Sequence, residues 1–214
     1  MTPTPKPTPP PSSNKLIAFG FDDGPSRYTP RLLDGLKFRN AKVTFFVLSN
    51  RVGSNAATIK RAYDEGHEIG NHSWNHPSLN RLSWNSIIKQ ISWTNSEIRK
   101  ITGETPKLLR PPYGSSNRNV TRAAGSQGMS VVFWDVDPRD WQYRNAARVK
   151  NNILRAAHDG AIIVIHDTHS TSVTGALQAI DELKGRGYSV VTISEMFRLK
   201  GQSMVNGAAY RRAK

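Results

Sequence analysis

The chain of 214 residues contains no cysteine, so neither a disulfide nor a thiolate-held structural zinc can contribute to its fold. It lacks any apolar run long enough to span a bilayer. Its first thirteen residues lack the apolar stretch a secretory leader requires. No shorter internal repeat is present, which argues against a solenoid. Acidic residues are scarce: 16 Asp and Glu stand against 30 Lys and Arg, for a formal net charge of +14. That balance suits polyanionic surroundings, or serves solubility alone. The basic residues are dispersed and not interleaved with aromatics, so nucleic acid is not an expected partner.

What is present begins with a Pro/Thr tract, TPTPKPTPPPSS after Met1. Such a composition cannot bury a core and reads as an extended, solvated linker. Linkers of this kind join modules of extracellular enzymes, so the expected context is a larger secreted protein. The reading is a linker over 1–14, one folded domain over 15–200 and a basic tail over 201–214. The domain is long enough to bury a substantial core, and a monomer is expected.

Within the domain, short apolar runs alternate with amphipathic stretches. Strands are expected at Leu16–Phe19, Val43–Val47, around Glu68–Ile69, and at Lys107–Leu109, Ser130–Trp134, Ala161–Ile165 and Ser189–Ile193. Helical spacing occupies Thr29–Phe38, Asn55–Asp64, Ser83–Ile101, Asn117–Gln127, Ala146–Ala157 and Val173–Lys184. The clearest helix carries Ile87, Ile88, Ile91, Ile98 and Ile101 on one face, and Gly103 stops it. Alternation of this kind predicts a parallel α/β sheet, open or closed into a barrel. Asp22, Asp23, His72, Arg110, Asp137 and His166 each fall just past the carboxyl end of a different strand or share one such end. In parallel α/β architectures that edge is where loops converge to build sites.

The chemistry of these residues narrows the options. Asp22 and Asp23 are adjacent, and on an extended backbone adjacent side chains point oppositely. One could bind a metal while the other faces a reacting water. A phosphatase of the haloacid type needs two Asp one residue apart, which counts against that reading. His72 and His76 are four apart, a spacing that places both imidazoles on one side of a helical turn. With a carboxylate from another strand end they make a two-His, one-Asp set, the usual composition of a catalytic zinc site. Arg110 opens a segment stiffened by Pro111 and Pro112, suited to holding a carboxylate or presenting an N–H to an oxyanion. His166 ends a buried strand, where it either acts as a general acid or caps the strand by hydrogen bonding. Trp141 is a sugar-stacking ring or ordinary core. His67, His158 and His169 read as structural or surface residues.

Five ordered motifs together resemble the polysaccharide deacetylase family, carbohydrate esterase family four, with its NodB-like homology domain. They are Phe-Asp-Asp-Gly-Pro at 21–25, His-Ser-x-x-His at 72–76, Arg-Pro-Pro-Tyr at 110–113, Asp-x-x-Asp-Trp at 137–141 and Ile-His-Asp at 165–167. One departure is Gly20, where the family usually has Thr. The resemblance covers Lys15 to about Leu199 and implies a distorted (β/α)7 barrel of parallel strands. It implies Asp23, His72 and His76 as ligands of a divalent metal, zinc foremost and cobalt or nickel otherwise. Asp22 would be the general base, oriented by Arg110. The Tyr113 backbone N–H would help stabilise the oxyanion, and His166, tuned by Asp140, would be the acid. Trp141, Ile165 and Tyr113 would contact substrate. The expected substrate is an acetylated β-1,4-linked polysaccharide or its oligomers. O-acetylxylan is slightly favoured over N-acetylglucosamine residues of peptidoglycan or chitooligosaccharides. A catalytically dead carbohydrate-binding relative is the alternative of another class, but it would require loss of a matched residue.

Overall fold

The computed structural model describes residues 15–214, so the linker expected over 1–14 lies outside the described residues. Eight strands form one sheet: β1 (Lys15–Gly24), β2 (Thr44–Val47), β3 (Glu68–Asn71), β4 (Leu108–Leu109), β5 (Ser130–Val132), β6 (Ala161–His166), β7 (Tyr188–Val191) and β8 (Ala209–Tyr210). Their spatial order is β6-β1-β2-β3-β4-β5-β8, with β7 beside the first half of β1. All named pairs are parallel. The helices are α1 (Thr29–Phe38), α2 (Ser49–Val52), α3 (Ala56–Asp64), α4 (Trp84–Thr102), α5 (Arg118–Ser126), α6 (Asp140–Tyr143), α7 (Ala146–Ala156), α8 (Ser170–Gly185) and α9 (Ile193–Leu199). None is long and apolar enough to cross a membrane.

The sheet curls into the distorted barrel expected of a (β/α)7 fold, and the period-two pleat of β1 sorts its residues between two layers. Ile17, Phe19 and Phe21 face the helices and join the largest apolar cluster with Leu32, Leu36 and Ile180. Leu16 and Ala18 face inward with Phe46, Leu108, Val132 and Ile162, where Met196 and Phe197 of α9 plug the interior. The same alternation places Gly20 and Asp22 on the inner side, above the plug. Segment 201–214, set apart above as a basic tail, contributes to this wall. It supplies β8, stacks Tyr210 on Phe197 at 5.1 Å and pairs Arg212 antiparallel with Ala161. Sequence alone misses this strand because Ala209–Tyr210 is too short to show a period.

Helix ends follow local chemistry. Ser83 caps α4 by accepting from the Ser86 N–H at 3.3 Å, and Gly103 closes it with φ +81. Ile87, Ile91 and Ile98 are buried, each contributing about 1.5–3 kcal/mol of burial. His67 is structural: it lies edge-on to Phe45, and its Nδ1 accepts from the Val43 N–H at 3.2 Å. Burial, with the charges of Lys42 and Arg61, pushes its imidazole down to about 3, so it stays neutral. His158 pairs with Asp135 at 2.9 Å, away from the strand mouths.

Candidate metal centre and active site

Asp22 and Asp23 end β1 at an irregularity in its register with β2, where Asp22 lies opposite Phe46 and Gly24 opposite Val47. Asp23 is the extra residue and has φ +67. The expectation that the two carboxylates point oppositely is therefore corrected. The left-handed twist at Asp23 swings its side chain back, and both carboxylates approach one imidazole. His72 Nε2 lies 3.4 Å from Asp23 Oδ1 and 3.9 Å from Asp22 Oδ2. His76 Nε2 lies 3.3 Å from the same Asp23 oxygen.

The two histidines do not share a helical turn, contrary to the reading from their spacing. Residues 72–78 form an irregular loop in which Ser73 and His76 have φ +76 and +66. Side chains template that loop. Buried Asn71 accepts from the Ser73 N–H at 2.7 Å and donates to Ile91 O and Asn95 Oδ1. Ser73 Oγ in turn accepts from the His76 N–H at 3.1 Å. Sequence reasoning missed Asn71 and Asn95. The one available signal was a polar residue closing an otherwise buried strand.

This arrangement fits a divalent cation. One nitrogen or oxygen from each of Asp23, His72 and His76 lies within 4.8 Å of the others. His72 Nδ1 lies 2.7 Å from Arg110 O, and a backbone carbonyl can only accept, so the proton sits on Nδ1 and the Nε2 lone pair faces Asp23. Asp23 Oδ1 is buried yet accepts no hydrogen bond. Burial raises the Asp23 carboxyl, but His72, with the charges of His76 and His166, outweighs it and holds the group well below the usual carboxylate range. Arg51, also missed, donates to Asp23 O at 2.8 Å and fixes the turned peptide.

Arg110 has no exposed surface. It donates to Asp22 Oδ1 at 2.8 Å, Gly20 O at 3.2 Å and Phe133 O at 3.1 Å, with its guanidinium over the Phe46 ring. The departure at Gly20 belongs to this cradle. A Cβ there would meet Arg110 Nη2 at 2.6 Å and Cζ at 2.8 Å. The missing side chain is the space the guanidinium occupies. Gly20→Ala is thus expected to cost about 1–3 kcal/mol of stability and to lower kcat more than it raises KM, because Arg110 would no longer square Asp22. Denaturant midpoints and acetate-release kinetics check this; wild-type values in both would show that the cradle is slack.

Opposite stands His166 at the end of β6. Asp140, fully buried in the first turn of α6, takes hold of it twice: Oδ1 lies 3.0 Å from His166 Nδ1, and Oδ2 accepts from the His166 N–H at 3.1 Å. Burial pulls the imidazole down, but the Asp140 hydrogen bond and the charges of Asp140, Asp22 and Asp23 lift it to about 9. Asp137 is not part of this group; it is exposed and accepts from the Arg139 N–H to form the turn. Asp167 points the other way and accepts from Thr29 Oγ1, tying the mouth of β6 to α1.

The remaining expected residues divide. Tyr113 is exposed, has φ +61 and stacks edge-on to His76 at 4.4 Å. Trp141 is half-exposed beside Asp140 and is not core. Ile165 has no exposed surface and packs in the main apolar cluster, so it braces the floor of the site rather than offering a face to a ligand.

Comparison with known proteins agrees with this geometry. A family model described as polysaccharide deacetylase matches residues 10–132. Peptidoglycan-N-acetylglucosamine deacetylase PgdA of Listeria monocytogenes is 42% identical over 199 residues, covering 92% of this chain and 41% of that protein. The chain thus spans well under half the length of that relative. The solved structure of peptidoglycan deacetylase PdaC from Bacillus subtilis matches with TM-score 0.85 and 42% identity, over 90% of this chain and 94% of that one. A family 4 acetyl xylan esterase from Clostridium thermocellum, solved with a cobalt ion, matches with TM-score 0.87 and 35% identity, over 92% and 98%.

Proposed function

This chain belongs to the polysaccharide deacetylase family, and we propose that it is a metal-dependent N-deacetylase acting on N-acetylated sugars of peptidoglycan, outside the cytoplasmic membrane. One observation carries the reading. A three-ligand cradle lies between a carboxylate fixed by a buried arginine and an imidazole clamped by a buried carboxylate. A divalent cation held by Asp23, His72 and His76 would supply Lewis-acid chemistry, acidifying water and polarising the acetyl carbonyl. Asp22, squared by Arg110, takes the proton of the attacking water. His166, protonated near neutral pH and aimed by Asp140, gives a proton to the leaving nitrogen.

An amine is a poor leaving group and needs that proton, whereas an ester oxygen needs it less. A histidine kept charged is therefore better matched to amides. The two peptidoglycan deacetylases, each 42% identical to this chain, support the same preference over the xylan esterase at 35%. O-acetylxylan, slightly favoured from the sequence, gives way here. The test is acetate release from peptidoglycan, chitooligosaccharides and acetylxylan in parallel. Acetate with matching free amine is expected from the N-acetylated substrates. Release from acetylxylan with both N-acetylated substrates inert would overturn the reading.

A further inference from the structure

The loops that follow the strands carry, besides the site itself, exposed arginines at Arg27, Arg51, Arg81, Arg118, Arg139 and Arg144. They come from the mouths of β1, β2, β3, β4 and β5, so they ring the site rather than cluster on one element. None of the six forms an ion pair among the described residues. Exposed ion pairs such as Arg61–Asp34, Lys60–Asp64 and Arg198–Glu195 lie instead on the helices. Within the same loops Asp137 is exposed, but its carboxylate is spent on the Arg139 N–H. Asp135 is taken by His158. Arg118 sits in the first turn of α5, where the helix dipole disfavours a cation. A structural role does not explain that placement.

Three carboxylates, Asp22, Asp23 and Asp140, gather at the strand mouths, and each has a partner in the site: Arg110 for Asp22, His166 for Asp140, and the ligand set with His72 and His76 for Asp23. The arginines of the rim have no acidic partner of their own, so a carboxylate on a ligand is attracted there and a neutral acetamide is not.

We infer that this arginine rim recognises carboxylates carried by the glycan substrate, and holds them outward while a neutral N-acetyl group enters the site. The inference rests on the proposed deacetylase reading and adds to it the residues that would favour a carboxylate-bearing glycan over a neutral one. Arg51 is set aside from the test because it also holds Asp23 O, and Arg139 because it forms the turn directly before Asp140.

The experiment compares two substrates that share N-acetylated sugars and differ in charge, soluble peptidoglycan fragments and neutral chitotetraose. The enzyme is the metal-loaded wild type or R27Q/R81Q/R118Q/R144Q. Exposed ion contacts are individually weak, so the four changes together are expected to raise KM for the fragments on the order of tenfold. Chitotetraose kinetics should stay within about twofold, a change too small to count as a lost contact. Raising salt on the wild type alone should raise KM for the fragments and not for chitotetraose, a readout that does not depend on the variant folding. Equal effects on both substrates, or no effect of salt on the fragments, would overturn the rim. A wild type inert on both substrates would instead sink the deacetylase reading, so the two failures are distinguishable.

Discussion

Asp22→Asn is expected to lower kcat for acetate release by roughly 10²–10⁴-fold, the range by which a positioned general base contributes. The substitution keeps the shape of the side chain. It also keeps an oxygen facing Arg110 Nη1, now at 2.8 Å from Asp22 Oδ1. What it removes is the ability to accept a proton. A second consequence runs alongside. Arg110 is wholly buried, burial pulls its pKa down, and the opposing charge on Asp22 is what favours the guanidinium there. Neutralising that partner leaves a buried charge uncompensated, which costs about 3–5 kcal/mol. The variant should therefore melt earlier as well as turn over slowly. The two effects separate when kinetics are measured well below the melting transition, with divalent-cation binding followed by calorimetry. Asp23, His72 and His76 are untouched, so the cation should still bind. A folded, cation-binding Asp22→Asn enzyme with near wild-type kcat would remove Asp22 from the role of base.

The architecture was legible because its signals are local. Apolar runs such as Ala161–Ile165, the isoleucine face of α4 and the stop at Gly103 are all short-range patterns. The convergence of polar residues at one edge follows from parallel strands alone. The site's membership was legible for the same reason: Asp22, Asp23, His72, His76, Arg110, Asp140 and His166 all sit at strand mouths or beside them. Several geometries were not. Spacing suggested that His72 and His76 share a helical turn. Asn71 instead bonds to Asn95, 24 residues on, and bends the loop differently. Adjacency suggested divergent carboxylates, but the positive φ at Asp23 turns one of them back. Gly20 looked like a neutral departure, because the residue filling its space lies 90 positions away. In each case a long-range contact overrides a local preference, and no local pattern encodes it.

Removal of divalent cations is expected to abolish acetate release, with zinc or cobalt restoring it, and to lower thermal stability at the same time. The second readout matters because it needs no turnover. In the site as it stands, Asp23 Oδ1 faces the Nε2 atoms of His72 and His76 at 3.4 and 3.3 Å. With His72 Nδ1 donating to Arg110 O, the oxygen and the His72 Nε2 present lone pairs to each other. Such a cradle is satisfied by a cation or, failing that, by added protons. A ligand that binds only the folded state stabilises it by about 2.7 kcal/mol at a hundredfold excess over Kd. Melting curves with and without zinc should therefore separate by several degrees. The pH dependence has a definite sign. Asp23 is held ionised well below the usual range, while burial pulls His76 down and favours its neutral form. Asp23 and His76 are thus ready near neutrality. As pH falls and His76 protonates, protons compete with the cation and the zinc-induced shift should shrink. His76→Ala should remove most of that shift, while Tyr113→Phe, which keeps the ring against His76, should preserve it. Full turnover from protein stripped of metal, or a melting temperature indifferent to zinc at neutral pH, would mean that the cradle holds no catalytic cation.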